Sequence, residues 1–115
     1  MELSSLGLGT YLGPSTEAAD AAYTEAARAF LAAGGTVFDT AANYRGGRSG
    51  RALGAAFGHL PRESFFVSTK AGYIPMPEAT DPEEGPRAWF HRVFEAPGIL
   101  APEDLVDGCH AMTPR

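Results

Sequence analysis

The feature that most constrains this chain is how regularly short apolar stretches alternate with amphipathic ones up to Lys70. Leu6 to Leu12 reads as a strand closed by the turn residues Gly13-Pro14. Thr36-Val-Phe-Asp-Thr40 and Ser64-Phe-Phe-Val-Ser-Thr-Lys70 read as two more strands. Between the first two, Ala19, Ala22, Tyr23, Ala26, Phe30 and Ala33 recur at helical spacing, and Gly34-Gly35 follows as a stop. Ser15 and Thr16 are cap candidates for that helix, with Glu17 and Asp20 near the positive end of its dipole. Before the third strand, Ser49 is placed to cap a helix through Phe57 that carries Ala52, Leu53 and Ala56 on one side, and Gly58 ends it. Strands separated by helix-length connections pair in parallel, because a parallel crossover needs a dozen or more residues. The expected class is α/β.

Beyond Gly72 the alternation stops. Seven of the nine prolines lie between Pro75 and Pro114, so this part reads as a long loop excursion. One helix is expected from Pro86, with Trp89, Phe90, Val93 and Phe94 on one side as packing residues. A net charge of −5 without a Lys/Arg cluster points away from nucleic acid. No run approaches the ~20 apolar residues that span a bilayer, so no membrane association is expected. Cys109 is the sole cysteine; it cannot form an internal disulfide, and it reads as a structural thiol with no base placed to activate it. Met1-Glu2-Leu3 lacks the basic start of a secretory signal, and the expected location is the cytoplasm. The three histidines and Cys109 show no metal-ligand spacing, and no metal is expected.

Chemistry gathers at the strand ends. Asp39 closes the second strand, Lys70 closes the third, and Tyr44 lies in the loop between them. Parallel strands bring their carboxyl ends to one side of a sheet, where α/β proteins bind their ligands. An aspartate and a lysine there can pair, and a cation beside a phenol favours loss of the phenolic proton.

The stretches "DTAANYRGGRSGRALG" and "RESFFVSTKAGY", in this order and on these strands, resemble the aldo-keto reductases over residues 5–73. The resemblance implies a (β/α)₈ TIM barrel, here its first three βα units. Residues 1–73 would form the N-terminal βαβαβ part, and residues 74–115 the excursion toward a fourth strand. It implies reduction of a small-molecule aldehyde or ketone with NADPH, or NADH as the alternative. Tyr44 would be the proton donor, Lys70 its cation and Asp39 the carboxylate that holds Lys70. Gly9, Thr10 and Tyr11, with Asp39, would line the cofactor, while its phosphate contacts belong to loops after strands seven and eight. A barrel takes ~250 residues, so the chain reads as an incomplete barrel, and self-association through the open barrel edge is a further expectation. At Ser49-Gly50 the family usually has Ser-Glu, and the glycine should weaken the second helix by ~1 kcal/mol.

Two alternatives compete with this reading. "LGLGTYLG" invites comparison with a dinucleotide-binding glycine loop, but its last glycine stands one residue too far along and Asp39 lies 32 residues after Gly7. A Rossmann-type domain would also need a helix starting within Gly9–Gly13. The other alternative is a non-enzymatic half-barrel, a pseudoenzyme or assembly module. His110 follows Leu105-Val106, a run too short for a buried strand and broken by Asp107-Gly108. It is therefore expected on a surface loop and not as a catalytic histidine, with Thr113 and Pro114 opening a following helix.

Overall fold

The computed structural model describes residues 2–74 and 84–111. The chain divides into two compact units, Met1–Ala71 and Gly72–Arg115. In the first, strands β1 (Gly7–Gly9), β2 (Val37–Asp39) and β3 (Phe66–Ser68) form a parallel sheet in the order β1-β2-β3, crossed by helices α1 (Glu17–Ala32) and α2 (Arg48–Phe57). The class is α/β, as the alternation requires.

All three strands are shorter than expected, because only three residues of each lie in register. Gly7, Val37 and Phe66 form one row, Leu8, Phe38 and Val67 the next, and Gly9, Asp39 and Ser68 the last. Side chains alternate faces along a strand. The middle row packs into the core, where Ala27 and Phe38 are fully buried and Leu53, Ala56, Phe57 and Phe65 nearly so. Phe38 and Phe57 have ring centroids 4.6 Å apart, and Phe57 and Phe65 4.3 Å. The rows on either side face the other way. Phe66, in the apolar middle of the third strand, is 41% exposed for this reason.

The helix α1 is capped by Thr16, whose hydroxyl accepts from the Ala19 amide at 3.3 Å. It starts at Glu17, well past Gly13, which removes the Rossmann arrangement. Its inner face is rotated from the expected one: Ala22, Ala26 and Ala33 are exposed, while Ala27 is buried and Leu31 packs on the core. Alanines occur on every side of this helix, so they do not mark a face; the bulkier Phe30 and Leu31 do. In α2, Ala52, Leu53 and Ala56 are buried as expected. Ser49, however, is not its cap. Gly47, left-handed at φ 80°, stands in that position, and the buried Ser49 hydroxyl donates to the Thr10 carbonyl at 2.6 Å.

In the second unit, α3 (Gly85–Phe90) continues as a π-helical turn over His91–Glu95. Trp89 and Phe90 are buried there, each with its ring centroid 5.4 Å from that of Phe94. They also wall a cavity of about 280 Å³ with Tyr73, Leu105 and Cys109. Strands β4 (Leu105–Val106) and β5 (His110–Ala111) pair antiparallel around Asp107 and Gly108, both left-handed (φ 53° and 69°). His110 therefore lies on a hairpin strand, exposed, and not on the expected loop. Asp-Gly is a hairpin-turn signal where the sequence suggested a break. Thr113 and Pro114 lie outside the described residues. Among the described residues no helix is long and apolar enough to cross a membrane.

Candidate active site

The register explains the site. Phe38 must face the helices, so Asp39 faces away from them at the carboxyl end of β2, level with Gly9 and Ser68. The carbonyl of Asp39 is held from β1, accepting from the Thr10 amide at 3.1 Å and the Thr10 hydroxyl at 3.0 Å. Thr10 is fully buried. Its side chain, expected to line a ligand, is spent on the backbone of Asp39, and Ser49 in turn holds the carbonyl of Thr10. Ser49 is thus a supporting residue that the capping pattern concealed.

Two residues past β3, the Lys70 ammonium donates to both oxygens of Asp39 and to the Thr40 carbonyl, each at 3.0 Å. The ammonium also stands 4.8 Å from the centre of the Tyr44 ring. Asp39, Tyr44 and Lys70, distant in sequence, are brought together. The Lys70 side chain is 51% exposed and that of Asp39 45%, so solvent screens the pair and it adds little to stability. What the pair does is fix the position of a charge. The Tyr44 hydroxyl, first, and the Asp39 carboxylate, second, hold Lys70 above the ordinary lysine value. Lys70 therefore stays an ammonium throughout the neutral range.

Tyr44 opens a single tight turn, Tyr44–Gly47, which leads into α2. Its ring meets the edge of Tyr11 at 5.1 Å between centroids, and Tyr11 is 65% exposed. The glycines of the opening stretch have separate reasons. A side chain on Gly7 would press on Val37 at 3.3 Å, so that glycine serves strand packing. A side chain on Gly9 would meet nothing within 4 Å, so open space lies over this backbone beside Asp39.

An ammonium beside a phenol stabilises the negative charge that appears when the phenol gives up its proton. The arrangement is thus suited to donating a proton to a developing oxyanion. Within the second unit, His110 Nδ1 lies 3.2 Å from Cys109 Sγ, so that thiol does have a base beside it, contrary to the sequence reading. Among the described residues no three His, Cys, Asp or Glu side chains gather where a metal ion could bind.

Comparison with known protein families identifies a family for the chain. The family model described as "Aldo/keto reductase family" matches residues 5–96. No curated protein and no solved structure matches the chain.

Proposed function

The chain belongs to the aldo/keto reductase family, and from that premise we propose that it carries the proton-donating half of a carbonyl reductase site. Tyr44 gives its hydroxyl proton to the oxygen of an aldehyde or ketone. Lys70 stabilises the phenoxide left behind, and Asp39 holds Lys70 in place. The single observation that carries this reading is the Lys70 ammonium, bound by both Asp39 oxygens while standing 4.8 Å from the Tyr44 ring. Proton transfer of this kind supplies ~10²–10⁴-fold of rate.

The family implies a nicotinamide cofactor, and the open backbone at Gly9 with the exposed ring of Tyr11 fits a flat group lying beside Asp39. NADPH, with NADH as the alternative, supplies the hydride when bound. Gly9, Tyr11 and Asp39 would hold its ring, with Thr10 acting through the carbonyl of Asp39. The same premise makes the three strands the beginning of a (β/α)₈ barrel, with residues 1–73 as its βαβαβ start and residues 74–115 as an excursion before strand four. The row Gly7, Val37, Phe66, facing away from the helices, supports that placement as barrel interior. A cytoplasmic location belongs to the same proposal.

The test is carbonyl-dependent oxidation of NADPH by the full-length protein. Tyr44→Phe should lower turnover at least a hundredfold with cofactor affinity nearly unchanged, since only the transition state loses an interaction. Near-normal turnover in that variant overturns the assignment. The two outer edges of the sheet, at β1 and β3, favour a second reading as an assembly module that self-associates. No turnover on any carbonyl, together with an oligomer by light scattering, would favour it.

A further inference from the structure

Tyr44 is followed by a residue that has no place in the chemistry above. Arg45 has a left-handed backbone, with φ 51°, and so do Gly46 at 61° and Gly47 at 80°. The two glycines adopt this conformation freely, whereas for arginine it costs on the order of 1 kcal/mol. An arginine with its side chain in water would gain nothing in return. Arg45 is instead buried, with its side chain 1% exposed.

Its guanidinium is held from several directions. Nε donates to the Pro14 carbonyl at 3.0 Å, and Nη2 donates to the Thr16 carbonyl at 3.4 Å and to Asp20 Oδ1 at 2.5 Å. The guanidinium carbon lies 4.9 Å from the centre of the Tyr23 ring, and the Tyr23 hydroxyl donates to the Leu12 carbonyl at 2.6 Å. Nη1 is buried without a hydrogen-bond partner among the described residues. The other oxygen of Asp20 accepts from Arg48 Nε at 2.9 Å. Arg45 therefore ties the turn after β2 to the segment joining β1 and α1. Its immediate neighbour on that turn is Tyr44.

We propose that Arg45 is a positioning residue, whose buried guanidinium fixes the turn carrying Tyr44 and so holds the phenol hydroxyl beside Lys70. The proposal rests on the reading of Tyr44 as the proton donor, but its test does not use turnover. The left-handed backbone presents the guanidinium to the α1 side while the adjacent phenol reaches Tyr11 and Lys70. Charge, planarity and multiple donors let one arginine meet two carbonyls and a carboxylate at once.

The experiment is an NMR titration of the Lys70 side chain in the full chain, compared across variants. Tyr44→Phe should lower the Lys70 midpoint, because the phenol is the first cause of its elevation. Arg45→Gly keeps the left-handed turn and removes only the side chain. It should lower the midpoint as far as Tyr44→Phe does, and combining the two should add nothing. Arg48→Ala touches the same Asp20 carboxylate; it should lower the melting temperature and leave the Lys70 midpoint unmoved. Should Arg45→Gly lose the far-UV signal of the folded chain, Arg45→Lys carries the test, with a smaller downward shift expected. A Lys70 midpoint unchanged in the folded Arg45 variant, or moved equally by Arg48→Ala, overturns the proposal. So does a midpoint that Tyr44→Phe leaves unmoved, since no phenol is then held there to be positioned. Failure of the carbonyl reductase reading shows elsewhere, as undiminished turnover in Tyr44→Phe.

Discussion

The two units of this chain are held by different physics. Met1–Ala71 closes around tilted and edge-on aromatic rings, with Phe38 wholly buried between α1, α2 and the sheet. Gly72–Arg115 has two buried aromatics, a short hairpin, and ion pairs whose cations lie in water. In the pairs Arg87–Glu95 and Arg92–Glu84 the arginine side chains are 71% and 64% exposed. Pairs of this kind contribute little. The proposed proton-donating site falls on the unit with the aromatic core, and the reason is geometric. A lysine and a carboxylate from different strands meet reliably only where the strands themselves are fixed.

This contrast can be broken first at its strongest point. Phe38→Ala should cost about 3–5 kcal/mol, the range for losing a large buried ring, and hydrogen exchange should report the loss across β1, β2 and β3. Equal loss of protection in the hairpin β4–β5 would mean the two units unfold together, and the contrast would fail.

The next effect belongs to the cluster around Asp20. Removing its charge with Asp20→Asn strands a buried guanidinium. About 2 kcal/mol is expected by denaturant titration, below the ~3–5 kcal/mol of a fully buried pair because Asp20 keeps some solvent. The pH dependence has a definite sign. Arg48, first, and Arg45 hold the Asp20 carboxyl below its ordinary value of 3.8. Its contribution is therefore complete above that value and is lost as pH falls through the lower, folded one. Acid should destabilise the first unit there, and the Asp20→Asn variant should lack that part of the acid transition.

A smaller effect, of opposite sign, is expected at Gly50. It is an exposed helical residue of α2, and an added side chain meets nothing within 4 Å. Gly50→Ala should stabilise the first unit by ~0.5–1 kcal/mol in thermal melts. The smallest effect is expected in the second unit. Glu84→Gln removes the bidentate partner of Arg92 and should leave the melt unchanged at physiological salt, where exposed pairs are screened. A clear destabilisation there would raise the ion pairs to a structural role.

The sequence was most legible where two periodicities agreed. The alternation of strands and helices set the parallel sheet, and the strand ends carried Asp39 and Lys70 to one place. Helix faces were less legible: α1 is so rich in alanine that spacing alone turned its inner face toward Ala22 and Ala26. Small hydroxyls were hard to read as well. Ser49 has the look of a cap and Thr10 that of a ligand contact, yet both hydroxyls donate to carbonyls two or more elements away, which no local pattern encodes. Arg45 was hidden for a similar reason, since an arginine beside two glycines reads as surface until its partners at Pro14, Thr16 and Asp20 are known. The Asp107-Gly108 turn was legible but misjudged, because a turn that closes a hairpin also interrupts an apolar run.

The level ends of the three strands make the sheet a ruler. Lys70 meets Asp39 because it stands two residues beyond Ser68, which pairs level with Asp39. A residue gained or lost within Arg62–Ser64, ahead of the strand, can be absorbed by the turn it enters. One gained or lost between Val67 and Lys70 shifts the count and sends the lysine to the opposite face. Over evolutionary time the turn at Arg62–Ser64 can therefore vary in length, while the spacing from Val67 to Lys70 is closed to single-residue insertions and deletions.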